Sequence, residues 1–272
     1  MLHKETERQP LILVTNDDGV KAKGLRALIE IAKDFGRVIV VAPDEGQSGM
    51  SHAITIKHPL RITKHKSDYD NVEVYSVNGT PVDCVKLAMN QVLKTTPTLL
   101  LSGVNHGSNA SVSIFYSGTM AAAIEGCLYG IPSIGFSLLD FLPDADFTGS
   151  IKFGKKIVST IINDGVKRGV CLNVNFPAIP AADIKGIKVC RQNRGTWREE
   201  FDKRTDPRGL EYFWLTGHYH NEEPEATDTD EHALSDGFVS IVPVNINLTD
   251  EGEVKRLQSA SFETENIQVK KH

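Results

Sequence analysis

The sequence predicts an α/β protein with a mostly parallel sheet and helices on both faces. Runs of Leu, Ile and Val without polar alternation, such as residues 11–14 and 38–41, are typical of strands buried on both sides. Between these two runs, apolar residues recur at helical spacing from Leu25 onward. A strand, a helix and a second parallel strand form a right-handed unit, so the turns that follow the strands share one edge of the sheet.

The composition is that of an ordinary globular protein, with 40% hydrophobic and 24% charged residues in a chain of 272. No apolar run approaches the roughly 20 residues that span a bilayer, and the polar start does not resemble a signal sequence. A formal net charge of −5 argues against a nucleic-acid duplex as partner. The four cysteines are widely spaced, which argues against a disulfide framework. We therefore expect a cytoplasmic protein that does not bind membranes.

Three regions are predicted along the chain. Residues 1–10 form a polar tail, 11–183 form the catalytic core, and 184–272 form a C-terminal extension in which the alternation of strands and helices stops. The extension contains short apolar runs separated by charged or Gly/Pro-rich segments. This pattern predicts β-hairpins that join the sheet or reach toward a partner subunit.

Two further segments carry local predictions. Thr80, Pro81 and Asp83 have the pattern of a capped helix start, with Pro81 as the first helical residue. The segment Ile54–Ile62 alternates loosely around Pro59, which favours short strands.

The first turn places two adjacent carboxylates, Asp17 and Asp18, directly after a buried strand. Adjacent negative charges repel each other, and a divalent cation with oxygen ligands would neutralise them. The same residues, with Asn16, could instead cap the helix that follows. The local pattern favours neither interpretation.

Three other turns bring further oxygen donors to the same edge of the sheet. Ser48 follows the second strand, Asn105 follows another buried strand, and the segment 117–119 begins an apolar helix. Carboxylate, hydroxyl and amide oxygens suit Mg²⁺ or Mn²⁺. A helix start rich in Gly, Ser and Thr favours an anion such as phosphate. Together they indicate phosphate ester chemistry, whereas His106 is interpreted as a structural loop residue.

Six strings stand in order along the chain: ILVTNDDG (12–19), VAPD (41–44), QSG (47–49), NGTPVDC (78–84), SGVNHG (102–107) and YSGT (116–119). They resemble the motifs of the SurE family, the stationary-phase survival nucleotidases. The similarity covers nearly the whole chain and is lowest between residues 191 and 236. At residues 109–112, NASV, the sequence departs from the more glycine-rich family pattern.

The resemblance implies a metal-dependent phosphatase that hydrolyses nucleoside 5′- and 3′-monophosphates, a phosphoric monoester hydrolase of the 5′-nucleotidase type. It also implies a Rossmann-like core and a homo-oligomer, a dimer or a tetramer, built through the C-terminal region. One divalent cation per subunit, Mg²⁺ or Mn²⁺, would be held by Asp17, Asp18, Ser48 and Asn105. Asp17, Asp18 and Asn105 would be catalytic, and the substrate phosphate would contact Asn109, Ser117, Gly118 and Thr119.

Two questions stay open at the level of sequence. Asp17 could attack phosphorus as a covalent nucleophile, or water could attack directly. A receiver-like regulatory module or a nonenzymatic nucleotide-binding protein is the alternative function. The receiver fits poorly, since Ser102 and Gly103 stand where a phosphorylated aspartate would be needed.

Overall fold

A computed structural model describes residues 9–260 of the chain, except for the side chains of residues 199 and 200. Most of the predicted tail over residues 1–10 and the end of the extension, residues 261–272, lie outside the described residues. Within the described range, no helix is long and apolar enough to cross a membrane.

The strands are β1 (Leu11–Thr15), β2 (Arg37–Pro43), β3 (Ile62–His65), β4 (Val72–Val77), β5 (Leu99–His106), β6 (Ser133–Leu138), β7 (Val170–Phe176), β8 (Ile187–Val189), β9 (Gly195–Thr205), β10 (Glu211–Asn221) and β11 (Val239–Asn245). The helices are α1 (Lys23–Ala32), α2 (Pro81–Leu87), α3 (Gly118–Leu128), α4 (Thr148–Asp164), α5 (Asp230–Ser235) and α6 (Glu251–Gln258). A 3₁₀ helix covers Ser111–Tyr116, and a π-helical turn, Ala88–Val92, continues α2.

One nine-stranded sheet has the order β3-β4-β2-β1-β5-β6-β7-β11-β8. Its neighbouring strands are parallel except that β3 is antiparallel to β4 and β11 is antiparallel to β7. Within the described residues, β9 and β10 pair with each other and with no strand of this sheet. The chain adds strands to one side of β1 and then returns to its other side with β5. The order of connections therefore reverses between β1 and β5, where ligands bind in open α/β sheets.

Alternate residues of each central strand enter two separate cores. Ile12 and Val14 of β1 pack in the core that contains α1 and α4, whereas Leu13 packs with residues of α2 and α3. Because side chains alternate across a strand, helices must cover both faces of such a sheet. The predicted fold class, a mostly parallel sheet with helices on both faces, is confirmed.

The predicted start of α2 is also confirmed. The Asp83 N–H donates to Thr80 Oγ1 over 3.1 Å, and the Thr80 N–H donates to Asp83 Oδ2 over 2.9 Å. Pro81 is the first helical residue. Asp83 Oδ1 accepts a further hydrogen bond from the Thr55 N–H at 3.1 Å.

The prediction of short strands over Ile54–Ile62 is wrong for all but the last residue of the segment, because β3 begins only at Ile62. The backbone at Ala53 and Thr55 forms hydrogen bonds with residues at the start of α2 and not with a strand. Thr80 Oγ1 donates to the Ala53 carbonyl at 2.8 Å, and the Thr55 N–H is used by Asp83. These hydrogen bonds satisfy backbone groups that would otherwise pair with a neighbouring strand.

The helix α1 lies unusually close to β5 at Gly24. A Cβ atom added to Gly24 would lie 1.9 Å from the Val104 carbonyl oxygen, which belongs to the backbone of β5. This distance is far below van der Waals contact, so only glycine allows this helix to approach the strand that carries Asn105.

We predict that Gly24→Ala lowers the free energy of unfolding by about 1–3 kcal/mol, since the added methyl group forces helix and strand apart. Chemical denaturation measures this change. Gly252→Ala in α6 is the control, because its added Cβ would approach only the Asp250 side chain, at 3.2 Å. Equal stability of the two variants would contradict the close approach described above.

Candidate metal and phosphate site

The adjacent carboxylates Asp17 and Asp18 lie at the point between β1 and β5 where the order of strand connections reverses. Asp17 and Asp18 follow β1 directly, and Asn105 lies near the end of the neighbouring strand β5. Ser48 follows β2 on the other side of β1. The Gln47 N–H donates to the Asp17 carbonyl at 2.7 Å, which holds the Ser48 loop against the first turn.

The Asp17 carboxylate is held at the start of α3. Asp17 is 3% exposed, and the Thr119 hydroxyl donates to its Oδ1 over 2.5 Å. Gly118 lies directly against the same side chain, since an added Cβ there would be 2.9 Å from Asp17 Cβ and 3.0 Å from Oδ2. The positive end of the helix dipole and the Thr119 hydroxyl therefore both face this carboxylate.

The neighbouring Asp18 is only partly buried. The His106 N–H donates to Asp18 Oδ2 over 3.3 Å. The His106 ring packs edge-on against Phe147 with ring centres 5.1 Å apart, and His106 is among the residues that line the cleft beside Asp17. The sequence-based interpretation of His106 as a structural loop residue stays a prediction.

Both carboxylates have raised pKa values. Burial, together with the charge of Asp18, raises the pKa of Asp17 to about 6, against the opposing hydrogen bonds from Thr119. Burial likewise raises the pKa of Asp18, against the His106 hydrogen bond. Among the described residues, no Lys, Arg or His forms an ion pair with either carboxylate. The His106 side chain interacts electrostatically with Asp18 and lowers its pKa, but no ion pair among the described residues neutralises the two carboxylates.

The donor chemistry at this point fits a hard divalent cation. The Asn105 Nδ2 donates to the Gly107 carbonyl at 2.9 Å, which leaves its Oδ1 as a free acceptor. Buried oxygens at the end of β1, Thr15 Oγ1 and Asn16 Oδ1, have no hydrogen-bond partner within the described part of the chain. In the same range, no group of three or more His, Cys, Asp or Glu residues could hold a metal ion. Carboxylate, amide and hydroxyl oxygens are the ligands that Mg²⁺ and Mn²⁺ take.

A cleft of about 570 Å³ opens above these residues. Five of the predicted site residues line it: Asp17, Ser48, Asn105, Asn109 and Ser117. The other predicted residues are not part of the lining: Gly118 and Thr119 contact Asp17, and the partly exposed Asp18 accepts from the His106 N–H. The predicted site residues therefore lie close together. Five of them line the cleft, and the other three contact Asp17 or His106.

The predicted phosphate residues differ in what they can offer. Ser117 caps α3, because its Oγ accepts from the Met120 N–H at 3.0 Å, and its own hydroxyl hydrogen can still donate into the cleft. The Thr119 hydroxyl already donates to Asp17 and is fully buried. Thr119 therefore orients a carboxylate.

Asn109 is fixed from several directions. Its Nδ2 donates to Ser137 Oγ at 2.7 Å, its N–H donates to Asn175 Oδ1 at 2.9 Å, and its carbonyl accepts from Asn173 Nδ2 at 2.7 Å. These partners come from β6 and β7. The strand side chains thus hold the loop that follows β5, and the Asn109 Oδ1 is the atom left for a ligand.

Sequence reasoning missed the apolar walls of the cleft. They are formed by Tyr116, by Phe141 after β6, and by Trp197 and Leu215 of the β9–β10 hairpin. Phe141 is 78% exposed and packs over the Gly107 backbone. These four residues are far apart in the sequence, so only their position in space identifies them as one wall.

Comparisons with known proteins all point to one protein family. The family described as Survival protein SurE matches residues 12–199. A Christiangramia forsetii protein named 5′-nucleotidase SurE is 54% identical over 259 residues, covering 94% of this chain and 98% of that protein. The Cytophaga hutchinsonii protein of the same name is 52% identical over 243 residues, covering 89% and 93%.

Structural similarity extends over the same range. The crystal structure of the SurE protein from Aquifex aeolicus matches with a TM-score of 0.77 and 36% identity, covering 92% of this chain and 100% of that one. The family match begins in β1, directly before the two carboxylates, and includes every predicted site residue. On these grounds the chain belongs to the SurE family.

Proposed function

We propose that this protein is a divalent-metal-dependent phosphatase that hydrolyses nucleoside 5′- and 3′-monophosphates to nucleoside and phosphate. The observation that carries this proposal is the pair of carboxylates Asp17 and Asp18, which lie beside the start of α3 and form no ion pair with a Lys, Arg or His among the described residues. The relatives described above are named 5′-nucleotidases, which supports a phosphoric monoester as substrate.

Asp17, Asp18, Ser48 and Asn105 would hold one cation, Mg²⁺ or Mn²⁺. When bound, such a cation polarises a phosphoryl oxygen and lowers the pKa of water, which makes hydrolysis possible at neutral pH. We assign the catalytic roles to Asp17, Asp18 and Asn105, and a neighbouring donor or acceptor holds each of these side chains in place.

Residues around the carboxylates would orient the substrate. The Ser117 hydroxyl donates to a phosphate oxygen while its own oxygen stays bonded to the Met120 N–H. Asn109 offers a rigid amide oxygen, an acceptor that suits a donor group of the substrate such as a sugar hydroxyl and not a phosphate oxygen. Because Gly118 has no side chain, the start of α3 can lie close to Asp17. This arrangement positions the ester before reaction, which is a large part of phosphoryl-transfer catalysis.

A nonenzymatic nucleotide-binding protein or a receiver-like module is not favoured. The relatives carry the name of an enzyme, and the cleft places a hydroxyl donor and an amide next to the carboxylates. These features suit turnover of a phosphate ester more than signalling through a phosphorylated side chain.

We predict that the purified protein releases phosphate from adenosine 5′-monophosphate and adenosine 3′-monophosphate when Mn²⁺ is added. Phosphate release should stop when a chelator is present in excess and return when Mn²⁺ is restored, since the carboxylates need the cation. A colorimetric phosphate assay measures this. Nucleotide binding without any phosphate release would favour the nonenzymatic alternative.

We predict that Asp18→Asn lowers metal-dependent phosphatase activity by about 100-fold or more, because it removes one of the two charged ligands. Asp18 is only partly buried, so the melting temperature should change little. Glu45→Gln, an exposed acid in the Ser48 loop, is the control and should keep full activity. Full activity of Asp18→Asn would contradict the ligand assignment.

The extension is proposed to mediate a homo-oligomer, a dimer or a tetramer, with residues 11–183 as the catalytic core. The β9–β10 hairpin has two 11-residue strands that pair only with each other within the described residues. Phe201 lies opposite Leu215 in the register, and Phe213 lies two residues before Leu215, so the three share one face. Phe201, Phe213 and Leu215 are 62%, 55% and 62% exposed. An isolated hairpin with such an apolar face is marginal without a partner, and a second copy would cover it.

We predict that a variant with both Phe201→Ser and Phe213→Ser has a smaller mass in solution than the wild type, because it loses apolar area that the interface would bury. Size-exclusion chromatography with light scattering at micromolar concentration measures the mass. Ile56→Ser, which changes an 82% exposed residue outside the hairpin, should leave the mass unchanged. An unchanged mass in the double variant would contradict an interface on this face.

A further inference from the structure

Ser111 has a left-handed backbone, which is unusual for a residue with a side chain. Its φ is +52°, and it is completely buried. Left-handed φ is costly for residues other than glycine and persists only where the surroundings hold it. Some other group must therefore keep this conformation.

The carboxylate of Asp230 supplies that hold. Asp230 is the first residue of α5 and is completely buried. It accepts from the Ser111 N–H at 2.8 Å through Oδ2, and from the N–H groups of Asn193 and Glu231 at 2.9 Å through Oδ1. One carboxylate thus ties the loop after β5 to the base of the hairpin and to α5. Hydrogen bonds to an ionised acceptor are stronger than neutral ones.

The Ser111 side chain is held as well. Its hydroxyl donates to the Asn193 carbonyl at 2.9 Å and accepts from the Tyr219 hydroxyl at 2.8 Å. Tyr219 belongs to β10, whereas Asn193 precedes β9. Every group that fixes Ser111 therefore comes from the C-terminal extension.

Ser111 begins the segment that lines the cleft. The 3₁₀ helix Ser111–Tyr116 runs directly into Ser117, the cap of α3. Ser113, Tyr116 and Ser117 line the cleft with Asp17. Asp230 does not line it, so any effect of Asp230 on a substrate is indirect, and Ser111 is the bonded neighbour that leads straight into the lining segment.

We propose that Asp230 is a positioning residue for residues 109–117, which we call the substrate loop. Asp230 holds Ser111 in the left-handed conformation that directs Ser113, Tyr116 and Ser117 into the cleft. Asp230 does not touch substrate. The C-terminal extension thereby takes part in substrate binding through a buried contact, in addition to any contact between subunits.

The test compares Asp230→Asn with Asp228→Asn. An amide cannot accept through its nitrogen, so Asp230→Asn loses at least one of the three N–H bonds without a change of shape. KM for adenosine 5′-monophosphate should rise about tenfold. Asp228 is two residues away, with a 67% exposed side chain paired to Arg191, and its variant should stay within about twofold of the wild-type KM. A purely structural defect lowers the active fraction and hence kcat, but leaves KM unchanged.

A glycine at position 111 provides the rescue. Glycine adopts positive φ without strain, so Ser111→Gly combined with Asp230→Asn should bring KM most of the way back to the wild-type value. Ser111→Ala combined with Asp230→Asn should leave KM raised. Equal KM values for these two double variants, or equal KM values for Asp230→Asn and Asp228→Asn, would overturn the assignment.

The kinetic readout rests on the proposed function, so hydrogen exchange provides a readout that does not. The amides of residues 109–117 should exchange faster in Asp230→Asn than in Asp228→Asn, whether or not the protein is a nucleotidase. If Asp230→Asn fails to fold, Tyr219→Phe replaces it, with an expected rise in KM of about threefold and faster exchange over the same residues. Unchanged exchange in the variant that folds would overturn the assignment, whereas a wild type without phosphatase activity would refute only the proposed function.

Discussion

The contact between the buried Asp17 carboxylate and the start of α3 is the constraint on which the rest of the site depends. A carboxylate that is 3% exposed needs compensation, and here a hydroxyl from Thr119 and the positive end of a helix supply part of it. The helix can come this close because position 118 is glycine. What remains uncompensated is negative charge at a cleft, which suits a divalent cation. The same contact that buries the carboxylate thus leaves it available for the cation that we propose.

Buried acceptors also organise the loops around that contact. Asp83 accepts from Thr55 and Thr80, the Asn175 side chain accepts from Asn109, and Asp230 accepts from Ser111. In each case a side chain satisfies backbone N–H groups that no strand or helix satisfies. Irregular loops near the carboxyl ends of the strands can therefore be rigid without regular secondary structure. Rigid loops hold reacting groups in place at lower entropic cost.

The C-terminal extension contributes to the fold in two different ways. The strands β8 and β11 enlarge the main sheet, whereas the β9–β10 hairpin leaves it and contributes Trp197 and Leu215 to the cleft wall. At the base of the hairpin, Arg191 and Arg194 pair with Glu223, and burial of Asp230 is matched by three N–H donors. Hairpin and substrate loop are therefore joined through a polar, fully buried connection.

The sequence by itself determined the α/β class, the capped start of α2, and the set of oxygen donors that follow the strands, since each depends on local patterns such as apolar runs and capping residues. It misassigned the segment before β3, where Asp83 and Thr80 take backbone groups that strands would use. Only the tertiary structure decided that Thr119 orients Asp17, that aromatic residues far apart in the chain share one cleft, and that Asp230 holds Ser111 across 119 residues. Contacts at such separations depend on how the sheet and the extension pack, and no short-range pattern records them.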